Sequence, residues 1–138
     1  MRILVLDDDK SRLSIFRYKL IGSSVTCTQF SKECITLLKN DGPYDYLFLD
    51  HDLDGKIYVP SGPGTGYEVA EWVRDNPEKK PNKIIIHTCN EYAGPLMEKT
   101  IPESVWLPGV FMINFKVSDL DNLKDLYLKQ TKKNNGNF

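Results

Sequence analysis

The chain has 138 residues, 41% of them hydrophobic and 27% charged, with a formal net charge of −1. That length can bury a real core and predicts one domain over residues 1–132 with a flexible tail at 133–138, while the balanced charge argues against an extended nucleic-acid surface. No apolar run reaches the ~18 residues of a membrane span, the opening "MRILVLDDD" lacks a signal-peptide layout, and Cys27, Cys34 and Cys89 have no metal-ligand spacing, so a cytoplasmic protein with reduced thiols and no membrane partner is expected.

In chain order, the first apolar run is Arg2–Leu6, followed by a helical pattern over Lys10–Ile21. Ser24–Phe30 alternates and reads as an edge strand. Ser31 can cap a helix running through Asn40. Tyr46–Leu49 is a third strand, Tyr67–Asp75 a helix stopped before Pro77, and Lys83–Ile86 a fourth strand. A weaker helix covers about Asn90–Thr100, interrupted by Pro95. Val110–Phe115 is expected as the fifth strand, and a last helix starts at Ser118. Near-continuous apolar strands alternating with helices predict an α/β fold, a five-stranded parallel sheet flanked by helices. The exception is "GKIYVPSGPGTG", Gly55–Gly66, a Gly/Pro-rich loop of a length that is often functional.

Ligands of open α/β sheets bind beyond the carboxyl ends of the strands. Here the first strand is followed by Asp7, Asp8 and Asp9, and the third by Asp50, His51, Asp52 and Asp54. The fourth is followed by His87, Thr88 and Asn90, and the expected fifth by Lys116. Strands lie ~4.8 Å apart, so groups from several of them can surround one small ligand. Both histidines of the chain fall on this edge.

"ILVLDDD", an aspartate ending strand 3, Thr88 after strand 4 and Lys116 after strand 5 resemble the receiver domain of bacterial response regulators. The resemblance implies a receiver/flavodoxin-like sheet of order 2-1-3-4-5. It implies Asp7 and Asp8 as an acid pair, Asp50 as phosphoacceptor, Asp52 as a carbonyl ligand to Mg2+, and Thr88 and Lys116 on the phosphoryl oxygens. The lengthened loop, "LDHDL", "GTGYEVAEW" and "IIIHTCNEYAG", with Val117 after the lysine, are more similar to a divergent branch, the cyclic-phosphate processing receiver-like family. That likeness implies a histidine after strand 3 paired with an H-[ST]-x-N motif after strand 4 to open cyclic phosphates.

The residue chemistry agrees with that implication. Imidazole exchanges protons near neutral pH, so His51 and His87 could supply the base and the acid that a cyclic phosphodiester needs. Asp52 or an acid of strand 1 could orient His51. Lys116, Thr88 and Asn90 could hold the non-bridging oxygens, and the backbone around Gly62, Gly64, Thr65 and Gly66 could cradle an anion. Asp7, Asp8 and Asp50 could build a hard oxygen site for Mg2+, although two histidines need no metal.

The plainer readings are helix capping for Asp8 or Asp9, and a strand side that turns His87 into the helix layer. "DHDLDG" is no EF-hand loop, because its twelfth position is Ser61 and a strand precedes it. A likeness to haloacid-dehalogenase phosphatases founders on the leading strand with its own acids. The expected function is a phosphoesterase for a small cyclic phosphate, either a cyclic nucleotide or an RNA 2′,3′-cyclic end. The alternatives are a stand-alone receiver phosphorylated on Asp50 and a cyclic-nucleotide binder without turnover.

Overall fold

The computed structural model describes residues 1–53 and 55–135. Asp54 and residues 136–138 of the expected tail lie outside the described residues. The strands are β1 (Arg2–Leu6), β2 (Ser24–Thr28), β3 (Tyr46–Leu49), β4 (Lys83–Ile86) and β5 (Val105–Trp106). The α-helices are α1 (Lys10–Lys19), α2 (Ser31–Asn40), α3 (Gly66–Asp75), α4 (Ala93–Thr100) and α5 (Leu123–Asn135). All pairings are parallel and the sheet order is β2-β1-β3-β4-β5. This is the expected receiver/flavodoxin-like fold.

Side chains alternate across the sheet and split the core in two. Leu4, Leu6, Leu47, Leu49, Ile84 and Ile86 pack against α2, α3 and α4 through Leu38, Val73 and Met97. Ile3, Val5, Phe48 and Ile85 pack on the other face against Leu13 and Phe16 of α1 and Leu123 of α5. Pro95 fits in α4 because it stands in the first turn, where its missing N–H has no helical partner to lose.

The fifth strand is a correction. It is the two-residue Val105–Trp106, while Val110–Met112 forms a 3-10 turn and Val117–Asn122 another, ahead of α5. Val110, Ile113 and Phe115 are buried against the second core without pairing to a strand. Their hydrophobicity reflects packing alone.

Among the described residues, no helix is long and apolar enough to cross a membrane.

Candidate functional site

The strand register builds the site. Leu6 pairs with Leu49, Leu49 with Ile86 and Ile86 with Trp106. The ladder runs one residue further: Asp50 N donates to Leu6 O at 3.1 Å and His87 N to Leu49 O at 3.0 Å. Asp7, Asp50 and His87 therefore stand side by side and share the parity of Val5, Phe48 and Ile85. Their ligand atoms lie within 4.8 Å of one another, and all three are buried.

Arg12, on the first turns of α1, closes over this cluster. Asp9 caps that helix, its Oδ1 accepting from the amides of Ser11 and Arg12 at 2.8 and 3.0 Å. The cap aims the guanidinium back toward the strand ends. Its Nη2 lies 2.8 Å from Asp7 Oδ1 and 3.4 Å from both Asp8 Oδ1 and Asp50 Oδ2. Its Nε also reaches Asp7 Oδ2 at 2.9 Å.

These contacts drive two neighbouring carboxyls apart. Burial would raise Asp7, but His87 and Arg12 outweigh it and hold the group down to about 2. Burial pushes Asp50 up to about 6, and the Asp7 charge adds to that push against the pull of His87 and Arg12. Environments that separate two acids in this way are typical of catalytic sites.

The cluster opens into a cavity of about 400 Å³ lined by Asp50, His87, Thr88 and Asn90, with Arg12, Phe111 and the loop residues Lys56 and Tyr58. The Nε2 of His87 lies 2.9 Å from Asp7 Oδ2. An ionised carboxylate only accepts, so this nitrogen donates. The other nitrogen, Nδ1, is buried without a hydrogen-bond partner among the described residues.

His51 has the opposite parity and points away from the cluster. It is fully enclosed. Its Nδ1 meets Asp52 Oδ1 at 2.7 Å and its Nε2 meets Ser61 Oγ at 3.0 Å. Asp52 Oδ1 also accepts from Asn90 Nδ2 at 3.2 Å, and its Oδ2 accepts from the amide of Tyr58 at 2.8 Å. Burial works against ionisation of Asp52, yet its bonds to His51, Tyr58 and Asn90 lower its pKa overall. The group fastens the Gly55–Gly66 loop to the end of β3.

The family model for the cyclic-phosphate processing receiver domain matches residues 2–103. The chain belongs to that family. Its fold is also that of solved response regulators, including the chemotaxis protein CheY4 from Vibrio cholerae at 18% identity and TM-score 0.61, with 96% of each chain covered. The response regulator TrrA from Thermotoga maritima, solved in complex with Mg2+ and BeF, is 24% identical with a TM-score of 0.62, covering 91% of this chain and 97% of that one. No curated protein matches the sequence.

In this cyclic-phosphate processing receiver domain, Asp7, Asp50, Asp52, His87, Thr88 and Asn90 of the expected site do come together. Asp8 joins them, its Oδ2 accepting from the Gly55 amide at 2.7 Å. Three expectations need correction. His51 does not line the cavity, so the pair of histidines flanking a phosphate is absent. Lys116 is exposed at the start of a 3-10 turn, outside both the cavity and the family match, because the run before it is not β5.

The Gly64, Thr65 and Gly66 cradle also fails. The Gly64 amide donates to Glu68 Oε2 at 2.7 Å, Thr65 Oγ1 donates to Gly62 O at 2.7 Å, and Gly66 N donates to His51 O at 2.9 Å. These groups are spent on holding the loop and α3.

Sequence reasoning missed Arg12, although an arginine one turn beyond Asp8 at i,i+4 was a readable signal. It also missed Ser61 as a histidine partner, which only the folded loop reveals.

Two carboxylates and an imidazole within ligand distance have the donor chemistry of a divalent-cation site. In the described arrangement Arg12 holds the carboxylates of that set.

Proposed function

We propose that the protein opens a cyclic phosphate ester in this cavity, with His87 as the proton-exchanging imidazole. The observation that carries the reading is that His87 is the histidine lining the cavity, with Asp7 fixing its tautomer and its second nitrogen unpartnered. The family match supplies the substrate class. A water molecule attacks phosphorus, one P–O bond of the ring breaks, and a proton passes from the water to the departing oxygen. His87 takes up and returns that proton, with Asp50 as the second titratable group beside it. The Thr88 hydroxyl and the Asn90 amide hold the phosphate from the same wall, and Arg12 supplies positive charge.

That charge matters because the cavity is acid-rich. Among the described residues, Asp8, Asp9, Asp50 and Asp52 line it against the two cations Arg12 and Lys56. A divalent cation held by Asp7, Asp50 and His87 would supply the positive charge in place of the guanidinium.

The test is incubation with 2′,3′-cyclic, 3′,5′-cyclic and cyclic oligonucleotide phosphates, with and without EDTA, with products read by mass spectrometry. Ring opening of any member supports the reading. Activity that survives EDTA assigns the charge to Arg12, and activity lost in EDTA assigns it to a metal. No turnover across the panel refutes it.

A second reading rests on the place of Asp50 at the end of β3 in a fold shared with response regulators. It requires labelling by a small phosphodonor that Asp50→Asn abolishes.

A further inference from the structure

We propose that Arg12 is a resident counter-cation, which a divalent metal ion must displace in order to bind at Asp7, Asp50 and His87. The metal would need lone pairs that are already engaged. Both oxygens of Asp7 accept from Arg12 Nε, at 3.1 and 2.9 Å. Asp50 gives one oxygen to the amide of His51 at 2.8 Å and faces Arg12 Nη2 with the other at 3.4 Å. A guanidinium and a dication cannot share these carboxylates without strong repulsion across a few ångströms of protein interior.

A second feature marks the place as built for a ligand and not simply as a cluster of acids. His87 is 1% exposed and lines the cavity, yet its Nδ1 has no partner among the described residues. The ring meets the cluster through Nε2, 2.9 Å from Asp7 Oδ2, and because no partner holds Nδ1 the proton can move to Nδ1 and leave Nε2 to ligate an ion.

Arg12 can also leave. Its side chain is 31% exposed and borders the cavity, so an outward swing needs no opening of the core. Once displaced, the guanidinium stands where an incoming phosphate would meet it, and planar N–H pairs suit phosphate oxygens. Metal affinity in this domain is thereby set by a residue that is not a ligand.

The inference goes beyond the cyclic-phosphate reading, and its test uses no substrate, so the two can fail separately. Mn2+ alone, suited to mixed nitrogen and oxygen ligands, is titrated into the wild-type chain, Arg12→Gln and Arg12→Lys, with free Mn2+ followed by electron paramagnetic resonance. Arg12→Gln is expected to bind Mn2+ at least tenfold more tightly than wild type. Arg12→Lys should fall between them, because an ammonium keeps the charge but loses the fork. Adding Asp50→Asn to Arg12→Gln should abolish the gain, which locates the ion.

Thermal unfolding checks that each variant is folded. A measurement on the wild-type chain avoids that question: the Arg12 Nε–H proton should lose its protection from exchange as Mg2+ saturates the protein. Equal or weaker Mn2+ binding by folded Arg12→Gln, or an Nε–H that stays protected with metal bound, overturns the proposal.

Discussion

Asp50 is held against its own preference. The aqueous chain would ionise it fully at neutral pH, but burial and the charge of Asp7 raise its folded pKa to about 6. A carboxyl whose folded pKa is raised stabilises the fold below its unfolded value near 3.8, and that contribution is lost as pH rises through about 6. Asp50→Asn keeps an oxygen for the His51 amide and removes the charge. It should therefore stabilise the protein at pH 7 by about 3 kcal/mol, a gain that shrinks toward zero as pH falls below 4. Urea unfolding at several pH values measures it, and a variant less stable than wild type at pH 7 would contradict the assignment.

His51 makes a different prediction from His87 because its ring is consumed by Asp52 and Ser61. His51→Ala should leave the cluster of Asp7, Asp50 and His87 intact while unfastening the Gly55–Gly66 loop. Limited proteolysis is expected to cut that loop several-fold faster than in wild type. Unchanged protection would show that other contacts hold the loop.

At the scale of elements, α3 is seated on β3 through a single glycine. A Cβ at Gly66 would stand 1.7 Å from the carbonyl oxygen of Asp50, and backbone cannot move aside as a side chain can. Gly66→Ala should cost about 2–3 kcal/mol and displace the β3 end that carries Asp50. Thermal unfolding tests this, and a near-neutral change would mean that α3 can slide.

The helices and the first four strands were legible from their hydrophobic patterns, but two helix starts were not: Ser31 lies inside α2, with Phe30 at the cap position and no side-chain cap, and Ser118 lies in a 3-10 turn ahead of α5. Nor was β5. A two-residue edge strand has no period to read, whereas Val110–Phe115 is apolar for packing reasons and imitates a strand. Lys116 was misplaced along with it.

The pairing of the histidines was also decided at the strand ends. With Leu49 opposite Ile86, Asp50 and His87 each follow a paired residue and stand side by side. His51 follows where β3 has ended, and its ring goes to Asp52 and Ser61 instead of the cavity. Sequence motifs place both residues at one edge, but only the folded strand ends reveal where each ring goes.

Taken as a whole, the molecule is a sheet with one core on each face and a cluster of acids where the strands stop. The match to the cyclic-phosphate processing family ends at residue 103. The segment beyond it supplies β5, the 3-10 turns and α5, which close the second core and lend Phe111 to the cavity wall. Fold and location of the site were therefore readable from strands and their trailing acids. The counter-cation and the loop fastening were not, since both depend on side chains that meet only across elements.

One imidazole, that of His87, carries the proposed chemistry. The most direct measurement is the rate of cyclic-phosphate opening by His87→Gln and by His51→Ala under identical conditions. Loss of a proton-exchanging group costs about 10²-fold or more. The rate is predicted to fall by that much in His87→Gln and by far less in His51→Ala. An active His87→Gln, or a His51→Ala as damaged as His87→Gln, would contradict the single-histidine site.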